Sequence, residues 1–275
     1  MRRAQSIVAG VVMAGLLPAG AAMRTDAAEL DCLMQPREVV TVSAPVEGVL
    51  ERVAVDRGDV VQVGSVLAVL ESSQERTVVA IAKARAEQDY SIKSNQVRLD
   101  FGERRFARTD EMFKKSLIPL KELDEAETAK VLAVYGLVEA NEQKRLADLD
   151  LERAQAVLAL RTVKSPTTGV VTERMRHPGE LASRENPIMK IARLDPLRVE
   201  VFVPIALYGR VTVGQRAVVV PEPPLNRPLD ATVVVVDKVA DAASSTFGVR
   251  LEIANPGNKV PGGLKCRVRL GDAGR

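Results

Sequence analysis

The longest stretch of this chain that can be continuous helix runs over residues 72–161, with one break at residues 116–119, Ser-Leu-Ile-Pro. Residues 71–115 contain no proline and one glycine, and residues 120–161 also contain no proline and one glycine. Each arm can therefore be helical throughout. At a rise of about 1.5 Å per residue, an arm of about 43 residues would be roughly 65 Å long. The sequence predicts a rod of two long helices that turn back at a tip near residues 116–119.

The second arm carries apolar residues at alternating steps of three and four, which is the spacing of a coiled-coil seam. These positions are Leu123, Ala126, Ala133, Leu137, Ala140, Ala147, Leu151, Ala154 and Leu158. Charged residues interrupt the seam at Lys130, Lys144 and Arg161. The first arm has a weaker seam, interrupted by Arg85, at Val78, Ile92, Leu99, Phe106 and Phe113. Two narrow apolar stripes favour an antiparallel coiled coil over the alternative, two surface helices of an ordinary α domain.

The composition is that of a globular protein with lean cores. Charged residues make up 27% and hydrophobic residues 46%, but aromatic residues only 3%, and tryptophan is absent. Few aromatic residues argue against one large packed core and for several small modules. The net charge of +3 and the lack of a basic run with interleaved aromatics exclude a nucleic-acid partner.

The N-terminus has the three-part form of a secretory signal. Met1-Arg2-Arg3 precedes an apolar run at residues 7–17, and Pro18 and small residues follow up to Ala22. Eleven apolar residues are too few to span a bilayer. We expect residues 1–22 to be a cleaved signal and the mature protein to be exported in soluble form.

Export to an oxidising compartment would allow the two cysteines to form a bridge. Cys266 lies in an alternating segment that places it on the apolar side of a strand, and Cys32 precedes the strand-like residues 39–42. Two separately buried thiols are an equally good interpretation, because sequence alone does not establish proximity.

A sequence pattern before the helical arms returns after them. Pro166-Thr167-Thr168-Gly169-Val170-Val171 repeats Pro45-Val46-Glu47-Gly48-Val49-Leu50, and Gly179-Glu180-Leu181 repeats Gly58-Asp59-Val60. The apolar runs at 67–70 and 188–191 keep the same offset of 121 residues. An offset kept over three landmarks indicates an internal repeat.

Two such half-motifs, split by a long helical hairpin, resemble the lipoyl domain of periplasmic adaptor proteins. These HlyD-like membrane-fusion proteins belong to tripartite efflux and secretion systems. The resemblance implies an elongated, modular α+β fold with a split lipoyl/biotinyl-like β-sandwich, a long antiparallel coiled-coil hairpin and a small antiparallel β-barrel. The expected boundaries are 39–70 and 162–194 for the two halves, 71–161 for the hairpin and 195–270 for the barrel. The chain resembles a short adaptor without a membrane-proximal domain.

Residues 195–270 also fit a small barrel without the resemblance. Short alternating segments are separated by turns such as Asn255-Pro256-Gly257, as in small antiparallel barrels.

Nothing in the sequence indicates an enzyme. His177 is the only histidine and lies beside Pro178-Gly179 in a predicted turn, which favours a solvated loop residue over a base or ligand. Motifs of catalytic serines, zinc proteases and phosphate-binding loops are absent. We therefore predict no catalytic residue, no cofactor and no metal site. The lysine that carries the cofactor in lipoyl and biotinyl carriers has no counterpart at Leu70-Glu71-Ser72-Ser73.

The resemblance implies a periplasmic, non-catalytic adaptor between an inner-membrane transporter and an outer-membrane TolC-type channel. The transporter would be of the resistance-nodulation-division or ABC type, and the adaptor a homo-oligomer, by resemblance a hexamer. Alternatives are an adaptor of a type I secretion or ABC-type exporter, a biotin or lipoyl carrier subunit, and a structural spacer of the envelope. In short adaptors the first and last strands are both expected at the barrel end, which implies a Cys32–Cys266 disulfide.

The resemblance also implies a channel-docking tip. Adaptors that bind TolC-type channels commonly have an arginine, a leucine four residues later and a serine seven beyond that. This sequence has Arg108, Met112 and Pro119 at these positions. Methionine can replace leucine, and proline can begin a helix but loses the hydroxyl. The alternative is that Arg108 merely belongs to the solvated charged cluster of Arg104, Arg105, Arg108, Lys114 and Lys115.

Overall fold

The computed structural model describes residues 29–271, which form two compact units. The hairpin unit contains residues 33–200 and 252–264, and the barrel unit contains residues 29–32, 201–251 and 265–271. The mixed α+β fold with a long helical hairpin confirms the predicted fold class. The predicted signal at 1–22 lies outside the described residues, and the domain boundaries given above stay predictions.

Short strands on either side of the helices build the sandwich of the hairpin unit. They are β1 (Glu29–Val42), β2 (Gly48–Val53), β3 (Val60–Val61), β4 (Val66–Leu70), β5 (Thr162–Lys164), β6 (Gly169–Arg174), β7 (Leu181–Ala182) and β8 (Met189–Pro204). One sheet has the order β5-β4-β2-β7, and β3 pairs with β6, which pairs with β8. Each sheet therefore combines strands from before and after the helices, and neither half can form these sheets alone.

The internal repeat is confirmed in the pairing of the strands. Leu50 pairs with Leu70 just before a β-bulge, and, 121 residues later, Val171 pairs with Ile191 just before an equivalent bulge. The Gly58 N–H donates to the Val171 carbonyl at 2.8 Å. The Gly179 N–H donates to the Leu50 carbonyl, also at 2.8 Å. The two halves thus exchange equivalent bonds, as in a pseudo-two-fold sandwich.

Large aliphatic side chains from both halves fill the sandwich core. Fully buried members are Leu50, Leu67, Leu70, Val171, Ile188, Met189 and Ile191. Burial of each such side chain contributes about 1.5–3 kcal/mol.

The hairpin consists of three helices rather than the two that the sequence predicted. They are α1 (Ser73–Ala86), α2 (Tyr90–Lys114) and α3 (Leu120–Ala159). The prediction of an unbroken first arm is wrong, because the chain leaves the helix at residues 87–89, where Asp89 has φ −121° and ψ 4°. Aspartate has a low helix propensity and favours helix N-termini, and Asp89 directly precedes α2.

The break at residues 87–89 brings the buried sides of α1 and α2 into line along the hairpin. The α1 residues shielded from solvent are Glu75, Val79, Ala82 and Ala86. The predicted seam residue Val78 is instead 50% exposed. On α2 the shielded positions are Ile92, Asn95, Leu99, Gly102, Phe106, Thr109 and Phe113. Continuing the seven-residue spacing of α1 would miss the α2 seam by one residue. The turn at residues 87–89 removes this mismatch.

The predicted seam of α3 is confirmed at every position. Ala126, Ala140 and Ala154 are buried, and the other apolar seam residues are half-buried. Small residues on both helices let them approach closely. A Cβ on Gly102 of α2, for example, would lie 3.3 Å from the Cα of Lys130 on α3.

The three charged residues that interrupt the α3 seam each have a partner. The Lys130 ammonium lies 4.9 Å from the centre of the Phe106 ring, a cation–π contact. Lys144 donates to Asp148 of the same helix at 2.5 Å. Arg161 lies 2.6 Å from Glu75 at the base of the hairpin. The interruptions therefore do not leave unpaired charges in the seam.

The barrel unit contains the remaining strands: β9 (Arg216–Pro221), β10 (Leu229–Asp241), β11 (Thr246–Ile253) and β12 (Lys265–Leu270). The strand order is β1-β12-β9-β10-β11-β8, and β1 also pairs with β8, so that the sheet closes on itself. Inward-facing residues such as Val219, Phe247 and Val268 are almost completely buried. Alternation of buried and exposed residues along β11 and β12 matches the sequence pattern.

Candidate functional site

The tip of the hairpin is an ordered turn built from backbone hydrogen bonds. Beyond the end of α2, the Ser116 N–H donates to the Phe113 carbonyl at 2.8 Å and the Leu117 N–H to the Met112 carbonyl at 3.0 Å. Ser116 has φ +59°, so this is a Schellman cap with serine where glycine is usual. The cap fixes where α2 ends and therefore where its last side chains lie.

Pro119 begins the return helix. It has φ −77° and ψ 155°, and its carbonyl accepts a bond from the Glu122 N–H at 3.1 Å, so it occupies the N-cap position of α3. A helix start leaves the first N–H groups without intrahelical partners, and proline has no N–H to leave unpaired. The proline therefore keeps the turn at the cost of the hydroxyl that a serine would supply.

Arg108 and Met112 lie one helical turn apart on α2, and both side chains are exposed. Within residues 29–271 the Arg108 guanidinium has no hydrogen bond or ion pair, so it is available to a partner. The neighbouring Lys114 instead donates to Asp110 at 2.6 Å, and this bond raises the pKa of Lys114 above its ordinary value. The structure places Arg108, Met112 and Pro119 at the same end of the hairpin but shows no hydrogen bond among them.

Two exposed leucines complete the tip, and the sequence analysis did not single them out. Leu117 is 66% exposed between the two helices, and Leu120 is 56% exposed in the first turn of α3. Together with Met112 they give the tip an apolar surface beside the Arg108 charge. The signal was present in the sequence, since two large apolar residues flank a helix-breaking proline in a predicted solvent-exposed turn.

The structure also brings the two cysteines together. Cys32 in β1 and Cys266 in β12 are buried and joined in a disulfide, with their Cα atoms 4.9 Å apart. The bond connects the first and last strands of the barrel unit across 234 positions of sequence. Its formation in the exported protein stays a prediction.

His177 lies in a turn of the sandwich, where its backbone N–H donates to the Glu180 carboxylate at 3.0 Å. Among residues 29–271 no three histidine, cysteine, aspartate or glutamate side chains are grouped to hold a metal ion. None of the helices in this part of the chain combines the length and the apolar composition needed to cross a membrane.

Comparison with known proteins gives a family match over most of this architecture. Residues 38–193, more than half of the chain, match the family model described as "CzcB-like, barrel-sandwich hybrid domain". The matched region contains the split sandwich and the hairpin.

One curated relative and two solved structures are similar to the chain over most of its length. The nickel and cobalt resistance protein CnrB of Cupriavidus metallidurans is 25% identical over 234 residues, which are 85% of this chain and 54% of CnrB. The crystal structure of MacA from Actinobacillus actinomycetemcomitans has a TM-score of 0.72 at 18% identity, covering 90% of this chain and 79% of that chain. The structure of the membrane fusion protein Spr0693 from Streptococcus pneumoniae R6 has a TM-score of 0.60 at 14% identity, covering 90% of this chain and 100% of that chain.

The two structures share the fold with this chain. The chain spans 54% and 30% of the lengths of two curated relatives that it matches.

Proposed function

We propose a function for this chain from the fact that it belongs to the family of membrane-fusion, or periplasmic adaptor, proteins that carry a CzcB-like barrel-sandwich hybrid domain. The chain acts as a non-catalytic adaptor subunit that links an inner-membrane transporter to an outer-membrane channel in a tripartite efflux pump. The sandwich anchors the hairpin, and the hairpin carries the contact with the channel at its tip.

The observation that carries this proposal is the capped, exposed tip of the hairpin. A helix of 40 residues spans roughly 60 Å, so the tip can reach a partner far from the sandwich. At the tip, Arg108 is free to donate hydrogen bonds to carbonyl or carboxylate groups of a channel mouth, and Met112 and Leu117 can pack beside it. Arginine presents several hydrogen-bond donors in a fixed plane, so one side chain can bind more than one acceptor group of the channel mouth.

The partners follow from the same family resemblance. We propose a transporter of the resistance-nodulation-division or ABC type, a channel of the TolC type and a ring of adaptor copies, by resemblance a hexamer. The protein would act in the periplasm after cleavage of residues 1–22, held at the inner membrane by its transporter. An adaptor of a type I secretion system or of an ABC-type exporter is the second candidate.

The similarity to CnrB favours divalent metal ions as the exported substrate, because that relative is named for nickel and cobalt resistance and matches 85% of this chain. A host strain without this chain should then become sensitive to nickel or cobalt, and re-expression of the chain should restore growth. Unchanged metal tolerance with altered tolerance to another toxic compound would assign a different substrate to the same adaptor.

The adaptor role itself is tested by what the chain binds in its host. Mild cross-linking in intact cells, followed by mass spectrometry, should recover both a transporter and an outer-membrane channel with the full-length exported chain. Deletion of residues 103–127 removes the tip region and should lose the channel while keeping the transporter. Recovery of neither protein with the intact chain would support a structural spacer instead, and a mass shift on a lysine would support a biotin or lipoyl carrier.

A further inference from the structure

A groove runs along one side of the hairpin near its base, between α1 and α3. It has a volume of about 680 Å³, and only these two helices line it. Its wall residues are Gln74, Val78, Ile81 and Arg85 on α1, and Leu146, Asp150, Arg153 and Val157 on α3. Both sets keep the spacing i, i+4, i+7, i+11, which places each set on one face of its helix. The volume is within the range of small-molecule sites.

The middle of the groove is apolar and open to solvent. Four large apolar side chains of the walls are about half exposed, namely Val78, Ile81, Leu146 and Val157. The floor between them is made of small residues, because Ala82 and Ala154 are buried where the two helices pack. Large walls and a small floor give the groove its depth. Covering these apolar walls removes them from water, so the groove favours an apolar ligand.

The charged groups that line the groove are paired, with one exception. Glu75 lies 2.6 Å from Arg161, and Asp150 lies 3.2 Å from Arg153. The side chain of Arg85, in the last turn of α1, has no hydrogen bond or ion pair within residues 29–271. The groove therefore presents one uncompensated positive charge to a ligand.

This charge lies at the end of the groove that is farther from the sandwich. Helix α1 begins beside the sandwich at Ser73, and α3 returns to it at Ala159, so the two helices are antiparallel. The Arg161–Glu75 pair marks the near end, and Arg85 lies ten residues further along α1, which is about 15 Å. An apolar strip with a cation at one end matches an extended molecule that has an apolar tail and an anionic head group.

We propose that this groove binds a single-chain anionic amphiphile such as a long-chain carboxylate. The alkyl chain lies between the four apolar wall residues, over the alanine floor, and the head group accepts hydrogen bonds from the Arg85 guanidinium. The ligand contacts both helices at the base of the hairpin, away from the tip. Its binding is thus a further property of the chain, beyond the proposed adaptor role.

Tryptophan fluorescence tests the site, because the chain contains no tryptophan of its own. Leu146→Trp places the probe in a groove wall, and Leu149→Trp, at a similarly exposed leucine of α3 outside the groove, is the matched control. Dodecanoate, added to the full chain below its micelle concentration, should shift the emission of Leu146→Trp to shorter wavelength and reach saturation. The emission of Leu149→Trp should not change. Dodecyltrimethylammonium, which has the same tail and a positive head group, should bind several-fold more weakly.

Substitution of Arg85 tests the head-group contact. In the Leu146→Trp background, Arg85→Glu should weaken dodecanoate binding several-fold and strengthen the binding of dodecyltrimethylammonium. Arg85→Lys keeps the charge and should keep the preference for dodecanoate. Arg104→Glu reverses an exposed charge of α2 outside the groove and should change neither affinity. Calorimetric titration of the wild-type chain with dodecanoate checks that the introduced tryptophan does not create the site.

Several results would overturn the proposal. They are no saturable response to dodecanoate, equal responses of Leu146→Trp and Leu149→Trp, and equal dodecanoate affinity with Arg85→Glu. An equal shift with phosphatidylglycerol vesicles would assign the groove to a membrane surface instead. A shift that depends on protein concentration without ligand would assign it to a second copy of the chain. The groove lies away from the tip, so failure here leaves the adaptor role standing, and loss of transporter and channel in the pull-down leaves the groove standing.

Discussion

Arg161 reaches from the end of the hairpin to Glu75 at its beginning, with Nη2 of the arginine 2.6 Å from Oε1 of the glutamate. The other terminal nitrogen of Arg161 donates to the Glu47 carbonyl at 3.1 Å. One guanidinium thus joins the base of α1, the chain after α3 and the segment before β2. Both side chains are mostly shielded, at 23% and 13% exposure. The pair therefore sets how the hairpin leaves the sandwich.

Replacing Arg161 with alanine should destabilise the protein by about 1–3 kcal/mol, because the shielded Glu75 carboxylate loses its partner. Thermal unfolding followed by circular dichroism measures this change. The matched control is Arg153→Ala, which removes an exposed pair with Asp150 on α3 and should cost under about 0.5 kcal/mol. Equal losses for the two variants would contradict the role given to Arg161.

Ser116→Gly should stabilise the hairpin by about 0.5 kcal/mol. The left-handed backbone conformation of Ser116 raises the free energy of the folded state, and glycine adopts this conformation without strain. Part of this stabilisation is offset because glycine makes the unfolded chain more flexible. Ser94→Gly, in the exposed interior of α2, is the control and should destabilise by a similar amount. If both substitutions change the melting temperature in the same direction, the cap does not control the tip.

Gly102→Val should loosen the coiled coil at a point where α2 lies close to the backbone of α3. The added side chain meets the backbone of Lys130, which cannot rotate away, so we expect a loss of about 1–3 kcal/mol. Valine has a higher helix propensity than glycine, so propensity alone would not produce this loss. Ala107→Val on the exposed side of α2 shows what an uncrowded valine costs relative to alanine, about 0.6 kcal/mol. A loss no larger than that of the control would mean that the helices separate without cost.

Sequence reasoning predicted the repeat and the α3 seam because both depend on regular spacing. The same reasoning missed the break at residues 87–89, which contains neither proline nor glycine. It also chose Val78 for the α1 seam, because the residues that pack there include small alanines such as Ala82 and Ala86. Partners of Lys130 and Arg161 are contributed by the other arm of the hairpin, so only the folded chain brings them together.

The Cys32–Cys266 disulfide should be detectable in the exported protein. In denatured, unreduced protein neither thiol should react with a maleimide, and reduction should release two. Reduction, or the double substitution Cys32→Ala and Cys266→Ala, should destabilise the barrel unit by about 2–4 kcal/mol, because the bond closes a very long loop. Labelling of both cysteines before reduction would show that the bond does not form.

The central claim is that the exposed tip of the hairpin docks to a channel through Arg108, and efflux by Arg108→Asp in the native host tests it most directly. The substitution reverses a charge that has no partner within residues 29–271, so folding, export and association with the transporter should be unchanged. Arg153→Asp reverses a charge near the base of the same hairpin and is the matched control. The account predicts that Arg108→Asp abolishes efflux and cross-linking to the channel while Arg153→Asp retains both. Normal efflux by Arg108→Asp would contradict the account and assign the channel contact to another part of the chain.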